Sequence, residues 1–263
     1  MLIRPAVRSD YEPALRVIGD AFGIVARQPT VHTTVAGAPD GHLLVAERDG
    51  VIVGSGGSVG FGPTGWIGGI AVAPEARGNG LGRALTEAAI EALGPRETLL
   101  LLASAAGRPI YDRLGFEGEF SYRSFWTPPD AAPVPGDTRT LTLSDRDAVL
   151  ALDARVTGEK RTLAVDAGLI GALATPDLSA VALRPPWPAR PILARDPAAG
   201  AALLAATLEP GVRLAVPEVN APAIAALLAL GCVEGPSVLR MRRGAPVTWR
   251  AEELWGVFSL FFG

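Results

Sequence analysis

The sequence predicts a mixed α/β fold, classed as α+β in some schemes, built from two similar units in tandem. Apolar runs of strand length alternate with amphipathic runs of helix length along the 263 residues. A proline-rich break lies near the middle of the chain, and patterns found before it recur after it. A chain of this length is typical of two domains or one large one.

The break is the segment Thr127–Gly136, which holds four prolines and a glycine and predicts a stiff, exposed connector. It divides the sequence into a first domain, 1–127, and a second, 137–263. One pattern occurs in both halves: a Ser-Asp pair, then an amphipathic run, then a glycine. It is Ser9-Asp10 to Gly23 in the first half and Ser144-Asp145 to Gly158 in the second. Likewise, 99–116 parallels 215–232, which places Leu227 opposite Tyr111 and Asn220 opposite Ser104.

The first domain carries a glycine-rich turn, Arg77-Gly78-Asn79-Gly80-Leu81-Gly82-Arg83, between an apolar strand and a helix. The elements predicted around it are the strand Trp66 to Val72, the helix Ala84 to Leu93, the strand Glu97 to Ala103, the helix Ser104 to Leu114 and the strand Phe120 to Trp126. A helix start offers unpaired N–H groups and a positive dipole end, and glycines let an anion approach the backbone. The turn therefore predicts a site for a pyrophosphate-bearing cofactor.

Three phosphate motifs are compared with this turn. A P-loop requires Lys and then Ser or Thr after its glycines, but the chain's only lysine is the distant Lys160. A dinucleotide fingerprint requires Gly-x-Gly-x-x-Gly, whereas Gly78, Gly80 and Gly82 recur at every second residue. The pattern that remains is Arg-x-x-Gly-x-Gly, from Arg77 to Gly82.

This pattern resembles the acyl-CoA loop of the GNAT superfamily of N-acyltransferases. A second motif in the first domain, Tyr111-Asp-Arg-Leu-Gly115-Phe116, is similar to the family's Tyr-x-x-x-Gly-Phe signature, which follows the loop by some 30 residues. The resemblance covers about residues 2 to 126. It implies tandem GNAT folds, each a twisted, mixed and mainly antiparallel sheet flanked by helices.

The resemblance also implies the site. Gly68 and Gly69 predict a bulge in the strand before the loop, and in the family this strand parts from its neighbour and binds the pantetheine arm. The residues expected to bind acetyl-CoA, the acyl donor, are Ile70, Ala71, Val72, Arg77, Gly78, Asn79, Gly80, Leu81, Gly82, Arg83 and Ser104. Tyr111 occupies the position of the acid that protonates the departing thiolate; its alternative role is ring packing in the core.

The sequence leaves the general base open, because the strand before the loop carries no acidic residue. The candidates are His32, His42, Glu47, Glu119, a carboxylate at Gly263, and water. The chain's single cysteine, Cys232, is far from these motifs, so direct attack by the acceptor in a ternary complex is expected rather than an acyl-enzyme.

The second domain is interpreted as a degenerate GNAT-like copy. Its counterpart of the loop, Arg195 to Gly200, lacks the glycine pattern and contains Asp196, which would repel pyrophosphate. Its expected role is structural, in covering the first domain and lining the acceptor pocket. The apolar tail from Trp249 to Phe262 predicts a buried helix, too short to span a membrane.

The composition argues against some classes of binding partner. A net charge of −3 without a basic patch argues against nucleic acid, and two histidines with one cysteine argue against a metal. One cysteine and no signal peptide favour the cytoplasm, and arginine-rich, alanine-rich usage suggests a bacterial source. The expected acceptor is a small-molecule amine, with a homodimer left open. The alternatives are a non-catalytic acyl-CoA sensor and a protein N-acetyltransferase.

Overall fold

The computed structural model describes residues 1–23 and 31–263, which divide into two compact units. The first unit comprises Met1–Glu117, Met241–Ala245 and Phe262, and the second comprises Gly118–Arg240, Pro246–Phe261 and Gly263. The tandem boundaries at residues 127 and 137 rest on the sequence repeat and remain a prediction. Within the described residues, no helix combines the length and the apolar character needed to cross a membrane.

The first unit is built around one sheet with strand order β1-β2-β3-β4-β5, followed by the end of a later strand, β12. Its elements are β1 (Leu2–Pro5), α1 (Tyr11–Phe22), α2 (Val31–Ala36), β2 (Gly41–Arg48), β3 (Val51–Phe61), β4 (Thr64–Val72), α3 (Leu81–Leu93), β5 (Thr98–Ala103) and α4 (Arg108–Arg113). Strands β1 to β4 pair antiparallel, whereas β4 and β5 pair parallel. Helix α3 packs on the sheet through Leu85, which lies against the side-chain-free backbone of Gly54 and Gly56.

The second unit contains a five-stranded sheet in the order β13-β10-β9-β8-β7 and a separate row of strands β12-β6-β11. Its elements are β6 (Glu117–Trp126, of which Glu117 counts with the first unit), β7 (Arg139–Thr140), α5 (Arg146–Thr157), α6 (Thr162–Gly168), β8 (Leu173–Ala174), β9 (Ala180–Ala182), β10 (Ile192–Ala194), α7 (Pro197–Ala206), β11 (Arg213–Pro217), α8 (Ala221–Ala229), β12 (Val233–Gly244, ending in the first unit) and β13 (Leu254–Gly256). Trp255 is 1% exposed and lies in the main apolar core of this unit.

The same ion pair precedes the first long helix of each unit. Arg4 binds Asp10 at 2.6 Å, and Arg139 binds Asp145 at 2.8 Å. Both carboxylates also accept a backbone N–H three residues earlier. The paired arginine holds the pKa of each carboxyl group below its usual value. Both helices then end at a glycine in the left-handed conformation, Gly23 and Gly158. The two segments therefore share individual contacts as well as a sequence pattern.

The tail differs from its sequence prediction. The structure has a 3₁₀ turn at Ala251–Glu253 followed by strand β13. The prediction of a helix in the tail is therefore wrong. Burial is as expected, since Leu254, Trp255, Val257, Phe258 and Phe262 are all buried. Strand pairing explains the difference: β13 pairs antiparallel with β10, and this pairing satisfies backbone groups that a helix would satisfy internally.

Candidate active site in the first unit

The turn between β4 and α3 is fixed at both ends. Ala76 and Leu81 are buried beside Val53 and Leu85, so the exposed residues between them form a short, anchored loop. Gly78 and Gly80 have φ angles of 84° and 75°. An L side chain would be strained in this conformation, which explains glycine at these two positions.

The loop presents backbone donors without acceptors. Helix α3 begins after Gly80, and no side chain caps it. Among the described residues, none accepts a hydrogen bond from the backbone N–H groups of 78–83. Donors at the start of a 13-residue helix, together with the positive end of its dipole, have the chemistry that suits an anion.

The arginines of the loop are engaged with the protein itself. Arg77 Nε donates to the carbonyl of Val72 at 2.9 Å, and Arg83 pairs with Glu87 at 2.9 Å on the exposed face of α3. The Asn79 side chain donates to the carbonyl of Arg77 at 3.4 Å. Thus Arg77 connects the loop to the end of β4 by a hydrogen bond. The groups that remain available to an anion are backbone N–H donors.

Strand β4 opens just before this loop. Its paired residues with β5 run from Thr64↔Thr98 to Trp66↔Leu100, and no pair is formed beyond that point in the described chain, although β4 continues to Val72. On the opposite side, Gly69 and Ile70 of β4 face a single residue of β3, Gly56, which defines a β-bulge. The edge carrying Ile70, Ala71 and Val72 is therefore not paired with β5 in the described chain.

Tyr111 lies on α4, which follows the open end of β5. Its ring is 8% exposed and packs edge to face on Phe116, with ring centroids 6.2 Å apart. No hydrogen bond of its hydroxyl is found in the described part of the chain. Burial raises the pKa of Tyr111 to about 12, so the phenol stays protonated at neutral pH and is available as a proton donor.

Ser104 lies at the end of β5, in the turn that leads to α4. Its hydroxyl accepts the N–H of Gly107 at 3.2 Å, and its carbonyl accepts the N–H groups of Gly107 and Arg108. The helix was predicted to begin near Ser104 but begins at Arg108, because these bonds close a separate turn first. Ser104 keeps its hydroxyl proton as a donor for a ligand.

The candidates for the general base have different surroundings. Glu47 is bound to Arg4 at 2.7 Å, and Glu119, a residue of the second unit, is bound to the buried Arg240. His42 lies on β2, opposite Ser58 of β3. His32 on α2 is buried, and burial lowers its pKa to about 4. Two of the carboxylate candidates are thus neutralised by arginines.

The corresponding helix start in the second unit is closed by its own side chain. Asp196 precedes α7 and accepts the N–H of Ala199 at 2.9 Å, which satisfies a donor that remains unpaired in the first unit. The backbone of Gly200 is covered by Trp255, whose indole lies 2.4 Å from where a Cβ would stand. The sequence predicted the repulsive acid, and the structure adds that the acid acts as a helix cap.

The edge of β10, the strand that precedes the counterpart of the loop, is paired with another strand of the protein, β13. In the first unit β4 pairs with β5 and then parts from it, whereas in the second β10 pairs with β13. Asn220, opposite Ser104 in the repeat, caps α8 through Ala223 N and donates to the carbonyl of Leu254 at 2.9 Å. Sequence reasoning missed this strand because the signal, Leu-Trp-Gly, is only three residues long.

Residues 39–118 match the family model described as an acetyltransferase (GNAT) domain. No curated protein sequence matches the chain.

Solved structures extend the likeness to the whole chain at the level of the fold. A protein from Pyrococcus horikoshii described as an acetyltransferase matches with a TM-score of 0.87 and 20% identity, over 100% of this chain and 95% of its own. A GCN5-related N-acetyltransferase from Sphaerobacter thermophilus matches with a TM-score of 0.65 and 18% identity, over 94% and 97%. A tandem GNAT protein from the clavulanic acid biosynthesis pathway matches with a TM-score of 0.59 and 19% identity, over 94% of this chain and 99% of its own. The fold is that of tandem GNAT proteins.

Proposed function

We propose that the chain is an N-acetyltransferase that moves an acetyl group from acetyl-CoA to a primary amine of a small molecule. The observation that carries this proposal is the parting of β4 from β5 immediately before a turn of unpaired amides. An extended pantetheine arm fits an open strand edge, and a diphosphate fits a helix start that presents N–H groups. The acyl donor supplies an activated thioester, which the chain's own residues then bind and orient.

Donor binding is assigned to three parts of the first unit. The amides of Gly78 to Arg83 hold the diphosphate, and the open edge from Ile70 to Val72 holds the pantetheine, with Ser104 as a further hydrogen-bond partner. Arg77 stabilises the loop through Val72, and the exposed Arg83 contributes positive charge near the phosphates. The N–H of Ile70, beside the bulge, is directed at the thioester carbonyl and stabilises charge on its oxygen.

Proton transfer to the leaving group is assigned to Tyr111. A phenol with a pKa of about 12 is a weak acid toward a free thiolate. However, burial also raises the pKa of a thiol leaving beside the phenol, so the departing thiolate is a stronger base than a free thiolate and accepts the proton more readily. The proton therefore passes from the Tyr111 hydroxyl to the sulfur as the C–S bond breaks, and the phenol is restored from solvent.

The amine attacks the thioester directly in a ternary complex. The only cysteine of the sequence, Cys232, is buried in the second unit, where burial raises the pKa of its thiol. Glu47 and Glu119 are paired to arginines, and burial lowers the pKa of His32 to about 4. His42 and solvent water therefore remain the candidates that receive the amine's proton, and the role of a carboxylate at Gly263 stays a prediction.

The second unit is proposed to bind no acyl donor. Its helix start is capped by Asp196, and the edge of β10 is paired with β13. Both features remove backbone donors that the first unit leaves open. One donor site per chain follows.

The test combines binding with turnover. Calorimetry with coenzyme A should give a binding isotherm, and a thiol-release assay with acetyl-CoA should show turnover on some member of a panel of small primary amines. Binding without turnover on any amine or peptide would support the acyl-CoA sensor, which the lack of an acid in β4 favours. Turnover on peptides alone would identify a protein N-acetyltransferase. No binding would refute the proposal.

A further inference from the structure

The bulge in β4 depends on one glycine. Ser55↔Ala71 and Gly57↔Gly68 are paired across β3 and β4, which leaves Gly69 and Ile70 opposite Gly56 alone. Gly69 has a φ angle of 65°, in the left-handed region that an L side chain adopts only with strain. Since Ile70 follows directly, the conformation of Gly69 sets the direction of the Ile70 N–H.

His32 fills the space beside this glycine. A Cβ built on Gly69 would stand 2.8 Å from Nε2 and 2.9 Å from Cδ2 of His32, so the imidazole edge rests on the backbone of the bulge. The methyl of Ile18 on α1 lies 4.0 Å from the same point. His32 itself is 3% exposed, so its ring is enclosed.

A second ring holds the imidazole in place. Phe262, which counts with the first unit, meets His32 edge to face with centroids 5.6 Å apart. Its Cζ lies 3.4 Å from where a Cβ would stand on Gly57, the β3 residue paired with Gly68. The two rings thus cover the glycine-rich backbone on both strands of the bulge.

This placement bears on how His32 acts. A general base needs a pKa near the working pH and access to the proton it takes. Burial lowers the pKa of His32 to about 4, and its Nε2 faces the backbone of Gly69. The imidazole is therefore uncharged at neutral pH and in contact with the strand that orients the donor.

We propose that His32 is a positioning residue, whose ring, held by Phe262, fixes the bulge at Gly69 and so aims the Ile70 N–H at the thioester carbonyl. The inference rests on the proposed function, in which that N–H stabilises the developing oxyanion. Loss of one such donor typically lowers kcat by about 10²–10³-fold. A shift of the bulge should therefore reduce kcat more than it weakens donor binding.

The first test compares His32→Ala with His32→Phe. The alanine variant should lose at least tenfold in kcat with a KM for acetyl-CoA within about threefold of wild type. The phenylalanine variant restores a planar ring without a titratable nitrogen, so it should keep kcat within about threefold and leave the pH profile of kcat/KM unchanged. Equal losses in both variants, with disappearance of one limb of the pH profile, would make His32 a proton-transfer group. Unchanged kcat in both would overturn the inference.

The second test needs no activity. Gly69→Ala places a methyl where the imidazole lies, so it should reduce the folding equilibrium constant at least fivefold more in the wild-type background than in His32→Ala, by urea denaturation. Gly50→Ala is the matched control, because Gly50 has a φ of 79° and no atom within 4 Å of a Cβ position; it should be additive with His32→Ala. Additivity of Gly69→Ala as well would overturn the proposed contact.

The two tests separate the inference from the proposed function. A wild-type protein that neither binds coenzyme A nor transfers acetyl groups would refute the proposed function, and the inference that rests on it, even if the coupling between His32 and Gly69 were present. The role of His32 alone would be refuted if the wild-type protein were active, the effects of His32→Ala and Gly69→Ala on stability were additive, and His32→Phe were as impaired as His32→Ala.

Discussion

The side-chain amide of Asn220 donates a hydrogen bond to the carbonyl oxygen of Leu254 over 2.9 Å. Ser104, its counterpart in the repeat, follows β5 beyond the last residue that pairs with β4, and its hydroxyl, which accepts the N–H of Gly107, keeps its own proton to donate. The same position therefore holds a strand of the protein itself in one unit and faces the proposed ligand in the other. This difference, together with the cap at Asp196, distinguishes the two units chemically.

We expect one molecule of coenzyme A to bind per chain. Calorimetry should give a stoichiometry near one because β13 pairs with the edge of β10 in the second unit. Asp196→Ala is the informative control: it removes the capping carboxylate, at a cost of about 1 kcal/mol in folding stability, but leaves β13 in place. Its stoichiometry should stay at one. A value near two for either protein would contradict the blocked second site.

Tyr111→Phe should lower kcat at least tenfold while the Kd for coenzyme A stays within about threefold, because the variant loses the proton donor and keeps the ring packed on Phe116. Steady-state kinetics and calorimetry measure the two quantities. Tyr122→Phe is a matched control, since burial also raises the pKa of Tyr122 to about 12 but this residue belongs to the second unit. Equal turnover of Tyr111→Phe and wild type would remove Tyr111 from its role.

A valine at Gly80 should abolish detectable binding of coenzyme A. Its side chain would strain the left-handed backbone and project over the amides that precede α3. Gly50→Val, in the hairpin between β2 and β3, has similar strain but lies away from the loop, so it should lose comparable folding stability and retain affinity. Normal affinity of the Gly80 variant would refute the loop assignment.

Stability should fall on acidification because of His32. Its pKa is about 4 in the folded protein and about 6.5 when exposed, so between these values the unfolded chain binds more protons. The free energy of unfolding should therefore decrease by about 3 kcal/mol from pH 7 to pH 4 on account of this group.

Urea denaturation at several pH values, for wild type and His32→Phe, measures that contribution as the difference between the two curves. Relative to the phenylalanine variant, the wild type should lose stability progressively below pH 6.5. Parallel curves across the range would show that the histidine is not held uncharged.

Arg161 and Asp153 should contribute strongly to folding of the second unit. Their side chains are 2% and 1% exposed and lie 2.8 Å apart, so Arg161→Met leaves a buried carboxylate uncompensated and should cost about 3–5 kcal/mol in the free energy of unfolding. Arg146→Met breaks an exposed pair with Asp166 and should cost at most about 1 kcal/mol. Similar losses in the two variants, by urea denaturation, would contradict the distinction.

Local patterns predicted much of the fold. The strand before the loop, helix α3, strand β5 and the glycine ends of the helices all follow from apolar periodicity and glycine positions. The bulge followed from Gly68-Gly69, because glycine inside a strand is typical of a bulge or of a close approach to the backbone. The predicted roles of Tyr111 and the loop residues remain proposals.

Features that depend on distant partners were not predictable. The apolar residues of the tail predict a helix, whereas its pairing with β10 is a long-range property that the local sequence does not indicate. Contact between His32 and Gly69 joins residues 37 positions apart in the sequence, and neither residue type indicates the other. The burial that lowers the pKa of His32 was likewise invisible in the sequence.

We expect strand β13 to make the proposed loss of donor binding in the second unit hard to reverse. Mutations that rebuilt a glycine-rich turn in place of Asp196 would leave the carbonyl of Leu254 bound to Asn220 and Trp255 packed on Gly200, and so would bring no advantage by themselves. Displacing β13 first would expose a fully buried tryptophan and cost stability before any ligand could compensate. Since neither step helps without the other, divergence between the two halves of this chain is expected to run in one direction.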